Sequence, residues 1–297
     1  MPINDITSYL NEKRQLIDDF LAGYFQSTSP PGVLFDSMRY SLLARGKRIR
    51  PVLVLASYEA CGKNAGDIIP QAASLELIHA YSLIHDDLPA MDNDNLRRGK
   101  PTNHKVFGEA IAILAGDALL TEAFRMMTES AGTALPPGSL VSAIREVALA
   151  VGAYGMVGGQ VQDMLSENAE PDSDMVHFIH LHKTAAFIRS AATIGGILAD
   201  AGKEKERALG TYGECVGLAF QIIDDILDIE GKTEEIGKPA GSDQSKKKMT
   251  YPSAVGLNIA KREAKNLGKK AIESLDDFSS HADPLRQIAE YLLSRRT

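Results

Sequence analysis

Three observations predict an all-α fold for this chain. Apolar residues recur at helical spacing along most of its length. Strand-like alternation accumulates nowhere. The breaks between periodic stretches carry proline and glycine. The 297 residues are 44% hydrophobic and 24% charged, which suits one wide core in a single domain over 1–297. A net charge of −7 argues against a general nucleic-acid binder, whose affinity comes from basic surface. Cys61 and Cys215 cannot build a disulfide framework, and neither sits in a CxxC pair, so a reducing cytoplasm is expected. The opening MPINDITSYLNEKRQ has neither an apolar signal core nor transit-peptide character. No apolar run is expected to reach the ~18 residues that span a bilayer.

The elements follow in order. Ile6, Leu10, Ile17, Phe20, Leu21 and Phe25 keep helical spacing through residues 4–25, and SPPG at 29–32 stops the helix. In RIRPVLVLASYEACG, Pro51 suits a first helical turn and Gly62 a C-terminal cap. Residues 67–87 form a long apolar helix that Pro89 ends. DNDNLRRGKPTNH is a loop, and the Ala/Leu-rich stretch 109–130 is helical. Further helices are predicted over 139–166, 173–200, 204–229, 252–274 and 283–295. The polar stretch 231–249 is predicted to be a loop.

Two acidic clusters carry the chemistry. LIHDDLPAMDND (83–94) crowds Asp86, Asp87, Asp92 and Asp94 behind an apolar helix. Like charges at that density destabilise unless a cation sits among them. Asp86 and Asp92 would diverge on a continuous helix, but Pro89 lets the chain bend and return Asp92 to Asp86. In FQIIDDILDIEG (220–231), Asp224 and Asp228 share a face at i and i+4, with Cβ atoms about 5–6 Å apart, while Asp225 points a quarter turn away. Such pairs can hold a hard divalent cation whose octahedron water completes. A solvated helix end is the bland alternative. Two clusters, each rooted in Ile- and Leu-rich helix, weigh against it.

Other motifs fail. DNDNLRRG opens like a calcium loop, but Leu96 and Arg97 stand where an oxygen ligand and a glycine are needed. GKT at 231–233 lacks the upstream glycine of a P-loop. Gly152, Gly155, Gly158 and Gly159 suit tight helix contacts better than a dinucleotide loop. The histidines have no zinc spacing with a cysteine.

Magnesium held by carboxylates usually implies a phosphate substrate, and matching cations are present. They are Lys47, Arg48 and Arg50; Arg97 and Arg98; Lys183; and Lys238 with Lys246 to Lys248. Arg48, Lys246 and Lys247 are expected to be solvated. Lys183 lies in an apolar helix, where a buried lysine needs a partner.

Together GKRIRP, LIHDDLPAMDNDNLRRGKPT, GGQVQD, HKTAAF, FQIIDDILD and GKPAGSDQSKKKMTYPS resemble the trans-isoprenyl diphosphate synthases. They are most similar to the bacterial farnesyl diphosphate synthase branch, in order over nearly the whole chain. The resemblance implies a single large helical bundle with a deep central cavity, and a homodimer. It implies head-to-tail condensation of isopentenyl diphosphate with dimethylallyl or geranyl diphosphate, dependent on Mg2+, three ions per active site. Asp86 and Asp92, with Asp87, would grip two of them on the allylic diphosphate. Asp224 would hold a third, supported by Asp225 and Asp228. Arg97, Lys183 and Lys238 would contact that diphosphate, and Lys248 would close over it with the 231–249 loop as a lid. Lys47, Arg50, His79 and Arg98 would bind isopentenyl diphosphate. Thr184 and Gln221 would face the allylic chain and stabilise its positive charge. Arg295 and Arg296 loosely match the family's basic C-terminus. Tyr81, beside small Ser82, sits five residues before Asp86, about 7.5 Å down the helix. With the two-residue insertion Pro89-Ala90 in the first motif, it resembles the floor of enzymes that stop at fifteen carbons.

Three readings compete with this one. A geranylgeranyl diphosphate synthase would differ in that floor. A class I terpene cyclase shares the first motif but mixes Asn, Ser or Thr with Glu in the second, where this chain is all Asp, and has no need of GKRIR. A non-catalytic subunit would have lost motif aspartates, and none is missing.

Overall fold

A computed structural model describes residues 5–25, 30–129, 135–230 and 248–293. The fold is all-α. Its elements are α1 (Ile6–Tyr24), α2 (Gly32–Leu42), α3 (Ile49–Ala60), α4 (Ile69–Asp86), the two-residue strands β1 (Leu96–Arg97) and β2 (Lys100–Pro101), α5 (Asn103–Phe107) and α6 (Glu109–Met127). They continue with α7 (Pro137–Val151), α8 (Met156–Leu165), α9 (Ser173–Ile179), a π-helical turn at His180–Ala185, α10 (Ala186–Leu198) and α11 (Lys203–Glu230). Three more helices follow: α12 (Tyr251–Val255), α13 (Leu257–Glu273) and α14 (Asp283–Leu293). The predicted helices are present with altered ends. Helix α2 was not foreseen, and 252–274 is divided at Gly256, whose φ of 84° a side chain would strain.

The chain forms two compact units. The first comprises Thr7–Leu55 and Ala65–Leu135. Its centre is α4 packed on α6. Leu75, Leu77, Ile78 and Ile84 of α4 are buried to 1% exposure or less, each stabilising by about 1.5–3 kcal/mol. Small residues on α6 (Ala112, Ala115, Gly116) allow the close approach. A Cβ on Gly116 would stand 2.1 Å from His85 Nε2.

The second unit comprises Met1–Ile6, Ala56–Asn64 and Pro136–Thr297. Helix α11 is its spine, packed on α10, α13 and the π turn. Ile222, Ile223 and Ile226 meet Ala260 and Ala264 of α13 in one cluster. Buried Tyr212 donates to the Leu285 carbonyl at 2.6 Å.

Two expectations need correction here. The predicted helix 139–166 is broken at residues 152–155, so that α7 has 15 residues and α8 has 10. Gly155 explains the break: a Cβ there would meet the Ala150 carbonyl at 1.9 Å. The same stretch, Pro137–Leu165, spans 29 residues and holds an 18-residue window of mean hydropathy 1.5, long and apolar enough by composition to cross a membrane, contrary to the reading of apolar runs. Divided, neither half reaches the ~20 residues of a spanning helix, and α7 lies against α10.

Candidate active site

In the first unit the aspartate loop is built by the end of α4. The helix stops at Asp86, and Leu88 N donates to His85 O at 3.1 Å. The chain then reverses, and Asp92 N donates to the main-chain oxygen of Asp86 at 2.9 Å. The bend expected from Pro89 thus brings the two residues together. Both side chains are half-buried. A hairpin follows, with Leu96 opposite Pro101 and Arg97 opposite Lys100. Its turn residues Arg98 and Gly99 have φ of 52° and 76°, the doubly positive pattern of a tight two-residue turn.

That hairpin aims two arginines. Arg97 reaches back to Asp87, its Nη2 2.6 Å from Oδ1. Asp87 is 3% exposed, and burial pushes its carboxyl up from the ordinary value even against the Arg97 guanidinium. Arg98 lies against the turn before α3, where a Cβ on Gly46 would stand 2.8 Å from its Nη1. Arg98 and Arg50 repel, and burial with that repulsion pushes Arg50 down to about 10, so it remains a cation at neutral pH. Burial, then the charges of Arg50 and Arg98, push the His79 imidazole well below its ordinary value, so His79 is neutral and offers one ring N–H. Lys47 is exposed on the same turn. Cations that destabilise one another in a partly buried site favour an anion there.

Arg48 overturns the expectation of a solvated side chain. It is 4% exposed, with φ of 51°. Its guanidinium donates to Glu76 at 2.6 Å, to Asp18 at 2.8 Å, and to the carbonyls of Leu42 and Ala44 at 2.9 and 3.1 Å. It fastens the turn that carries Lys47 and leads into Arg50 at the start of α3. Glu76 was missed by the sequence reading. A lone carboxylate in the apolar SLELIH was the available signal, since a buried charge needs a partner.

In the second unit, Lys183 and Thr184 stand on the π turn, the widened coil that often marks functional positions. The partner required for Lys183 is Asp163 of α8, at 2.6 Å. The motif GGQVQD held that residue, but no rule joins positions 163 and 183. Gly159 lies one turn before Asp163. A Cβ there would sit 2.3 Å from Lys183 N and 2.7 Å from its Cα. Gly159 is the tight contact expected of this glycine run. Gly159→Ala should therefore spread α8 from the π turn, costing about 1–3 kcal/mol of stability. Displacing Lys183 should cost roughly tenfold or more in kcat/KM, read by steady-state kinetics beside a thermal melt.

Thr184 Oγ1 donates to Gln221 Oε1 at 3.0 Å, so these two predicted residues do meet. Asp224 is half-buried, whereas Asp225 and Asp228 are 4% and 8% exposed. Both oxygens of Asp225 are engaged. Oδ1 accepts from Gln221 Nε2 at 3.1 Å, Oδ2 accepts from Tyr251 N at 2.8 Å, and His180 Nε2 lies 3.2 Å from Oδ2. Lys248 is half-buried in the strand-free approach to α12. Lys238, Lys246, Lys247, Arg295, Arg296 and the proposed 231–249 lid, except its last two residues, lie outside the described residues.

Among the described residues no three His, Cys, Asp or Glu side chains group into a complete metal cage. The donors present are hard carboxylate oxygens in ones and twos. That set fits Mg2+, which takes one or two carboxylates and completes its shell with substrate phosphates and water.

Comparisons with known proteins agree with this chemistry. Residues 31–292 match the polyprenyl synthetase family. Farnesyl diphosphate synthase of Bacillus subtilis is 44% identical over 292 residues, covering 98% of this chain and 99% of that protein. Geranylgeranyl pyrophosphate synthase 7, chloroplastic, of Arabidopsis thaliana is 45% identical over 296 residues, covering 98% and 84%. The crystal structure of geranylgeranyl pyrophosphate synthetase from Pyrococcus horikoshii superposes with a TM-score of 0.88 at 32% identity, covering 98% of each chain. The chain belongs to the polyprenyl synthetase family and is a prenyltransferase.

Proposed function

We propose that the chain is a Mg2+-dependent farnesyl diphosphate synthase. It joins isopentenyl diphosphate to dimethylallyl diphosphate and then to geranyl diphosphate, and stops at fifteen carbons. Identity does not separate this from a twenty-carbon product, because relatives of both kinds stand at 44–45%. The observation that carries the reading is Tyr81. It lies on unbroken α4, about 7.5 Å along the axis from Asp86, and is 6% exposed. Its ring meets His85 edge-on at 5.7 Å. Burial, then the nearby charge of Asp86, raise its phenol to about 12, so it is a neutral, bulky floor. Small Ser82 is tied to its own helix, donating to His79 O at 3.0 Å.

The residues divide the labour as follows. Asp86, Asp92 and Asp224 would hold magnesium, with Asp228 in support, and the metal would neutralise charge on the allylic diphosphate. Arg97 and Lys183 exchange Asp87 and Asp163 for the diphosphate oxygens, and Lys238 and Lys248 join them. Lys47, Arg50, Arg98 and neutral His79 hold isopentenyl diphosphate by charge and one ring N–H. Thr184 and Gln221 turn oxygen dipoles toward the allylic cation. The double bond of isopentenyl diphosphate attacks that cation, and the released diphosphate takes the proton, so no protein base is required. Apolar helix faces exclude the water that would quench it.

The enzyme is a homodimer in this reading. Val141, Tyr154, Val161 and Leu165 of the α7–α8 stretch are 65%, 83%, 51% and 73% exposed, apolar side chains that a second copy would cover. The unpaired Cys61 and Cys215 suit the cytoplasm. Incubation with Mg2+, isopentenyl diphosphate and geranyl diphosphate should give a C15 product by mass spectrometry, and Tyr81→Ala should give C20 and longer. A C20 product from the unaltered enzyme would identify a geranylgeranyl diphosphate synthase. A C15 limit retained by Tyr81→Ala would remove the floor.

A further inference from the structure

Asp225 stands beside Asp224, and the sequence reading counted it with the metal ligands. Its surroundings differ from those of its neighbour. At 4% exposure it is held by three donors from three elements: the Gln221 amide one turn back on α11, His180 of the π turn and the main-chain N–H of Tyr251 at the start of α12. The His180 ring also stacks on Tyr251, centroids 6.0 Å apart, and its Nδ1 is buried without a hydrogen-bond partner. Nε2 therefore carries the proton and faces the carboxylate.

We propose that Asp225 is a positioning residue that acts through Gln221, rather than a metal ligand. This rests on the reading that Gln221 and Thr184 face the allylic cation. A carboxylate only accepts hydrogen bonds, so the end of the Gln221 amide that meets Oδ1 must be the NH2. The carbonyl oxygen is then forced to the other end, where Thr184 Oγ1 donates to it at 3.0 Å. Flipped, Gln221 would set oxygen against oxygen at Asp225. It would also turn the positive NH2 end of its dipole toward a developing cation, where a preorganised negative end is wanted. Asp225 thus decides which end of a symmetric-looking amide the substrate meets. The Tyr251 and His180 contacts hold the carboxylate still while it does so.

The test is kinetic. Asp225→Asn can donate as well as accept, so it frees the amide to take either orientation. With geranyl diphosphate, kcat should fall about 10–100-fold, less than the 10²–10³ typical for losing a whole preorganised dipole. KM for geranyl diphosphate and the half-saturating Mg2+ concentration should stay within about twofold. In a Gln221→Leu background, Asp225→Asn should add little further loss, because residues acting as one unit are non-additive. A half-saturating Mg2+ concentration that rises with the loss makes Asp225 a ligand and overturns the proposal. Losses that multiply in the double variant, with Gln221→Leu itself impaired, overturn the proposal alone. Full activity in Gln221→Leu overturns the cation-facing reading and the proposal with it. If a thermal melt shows Asp225→Asn unfolded, Asp225→Glu keeps the acceptor on a longer stem, and the same Mg2+ and double-variant comparisons decide.

Discussion

Asp86→Ala is expected to lower kcat by roughly 10³-fold or more, about 4 kcal/mol of transition-state stabilisation at 1.36 kcal/mol per decade. Breaking an allylic carbon–oxygen bond leaves diphosphate with a developing charge, and electrostatic stabilisation of that charge is the largest catalytic contribution available. Asp86 closes the last turn of α4, and its main-chain oxygen accepts from Asp92 N. Removing its side chain leaves that main-chain bond and the buried face of α4 in place. The variant should melt within a few degrees of the parent, so lost activity will report on chemistry. Product formation at saturating Mg2+ is the measurement. A rate within tenfold of the parent would show that Asp86 does not hold the metal.

Glu76→Leu is expected to cost about 3–5 kcal/mol of stability, the usual consequence of leaving one partner of a buried ion pair. The Glu76 side chain is 4% exposed and the Arg48 side chain 3%. Without Glu76, the guanidinium keeps Asp18 and two carbonyls but no fully buried counter-charge. Tm should fall by roughly 5–15 °C, and a urea midpoint should move in step. The turn that bears Lys47 and leads into Arg50 loses part of its anchor in the same stroke, so KM for isopentenyl diphosphate should rise in whatever fraction stays folded. The double variant Arg48→Met with Glu76→Leu should recover part of the loss, because no buried charge remains. A single variant that melts with the parent would mean that Arg48 finds water.

The two variants differ in how far the sequence could foresee them. Asp86 was legible because its signal is local: an apolar helix, a proline three residues on and an aspartate beyond the bend. Arg48 was misread because its signal is not. Nothing within a turn of it in sequence says that Asp18 and Glu76, 30 and 28 residues away, converge on it. Lys183 lies between these cases. Its apolar surroundings demanded a partner, but only the packing of α8 on the π turn selected Asp163.

The sequence by itself determined the all-α class, most helix positions, the reversal after Pro89 and the residue types at the site. These follow from periodicity, proline and glycine geometry, and short-range charge, all of which act within a few residues. Tertiary structure decided the rest: the division of 137–165 at Gly155, the widened turn under Lys183, and which acid each buried cation meets. The physical reason is that a buried charge is stabilised by whichever opposite group the packing brings within about 3 Å, and packing joins residues that the chain keeps far apart.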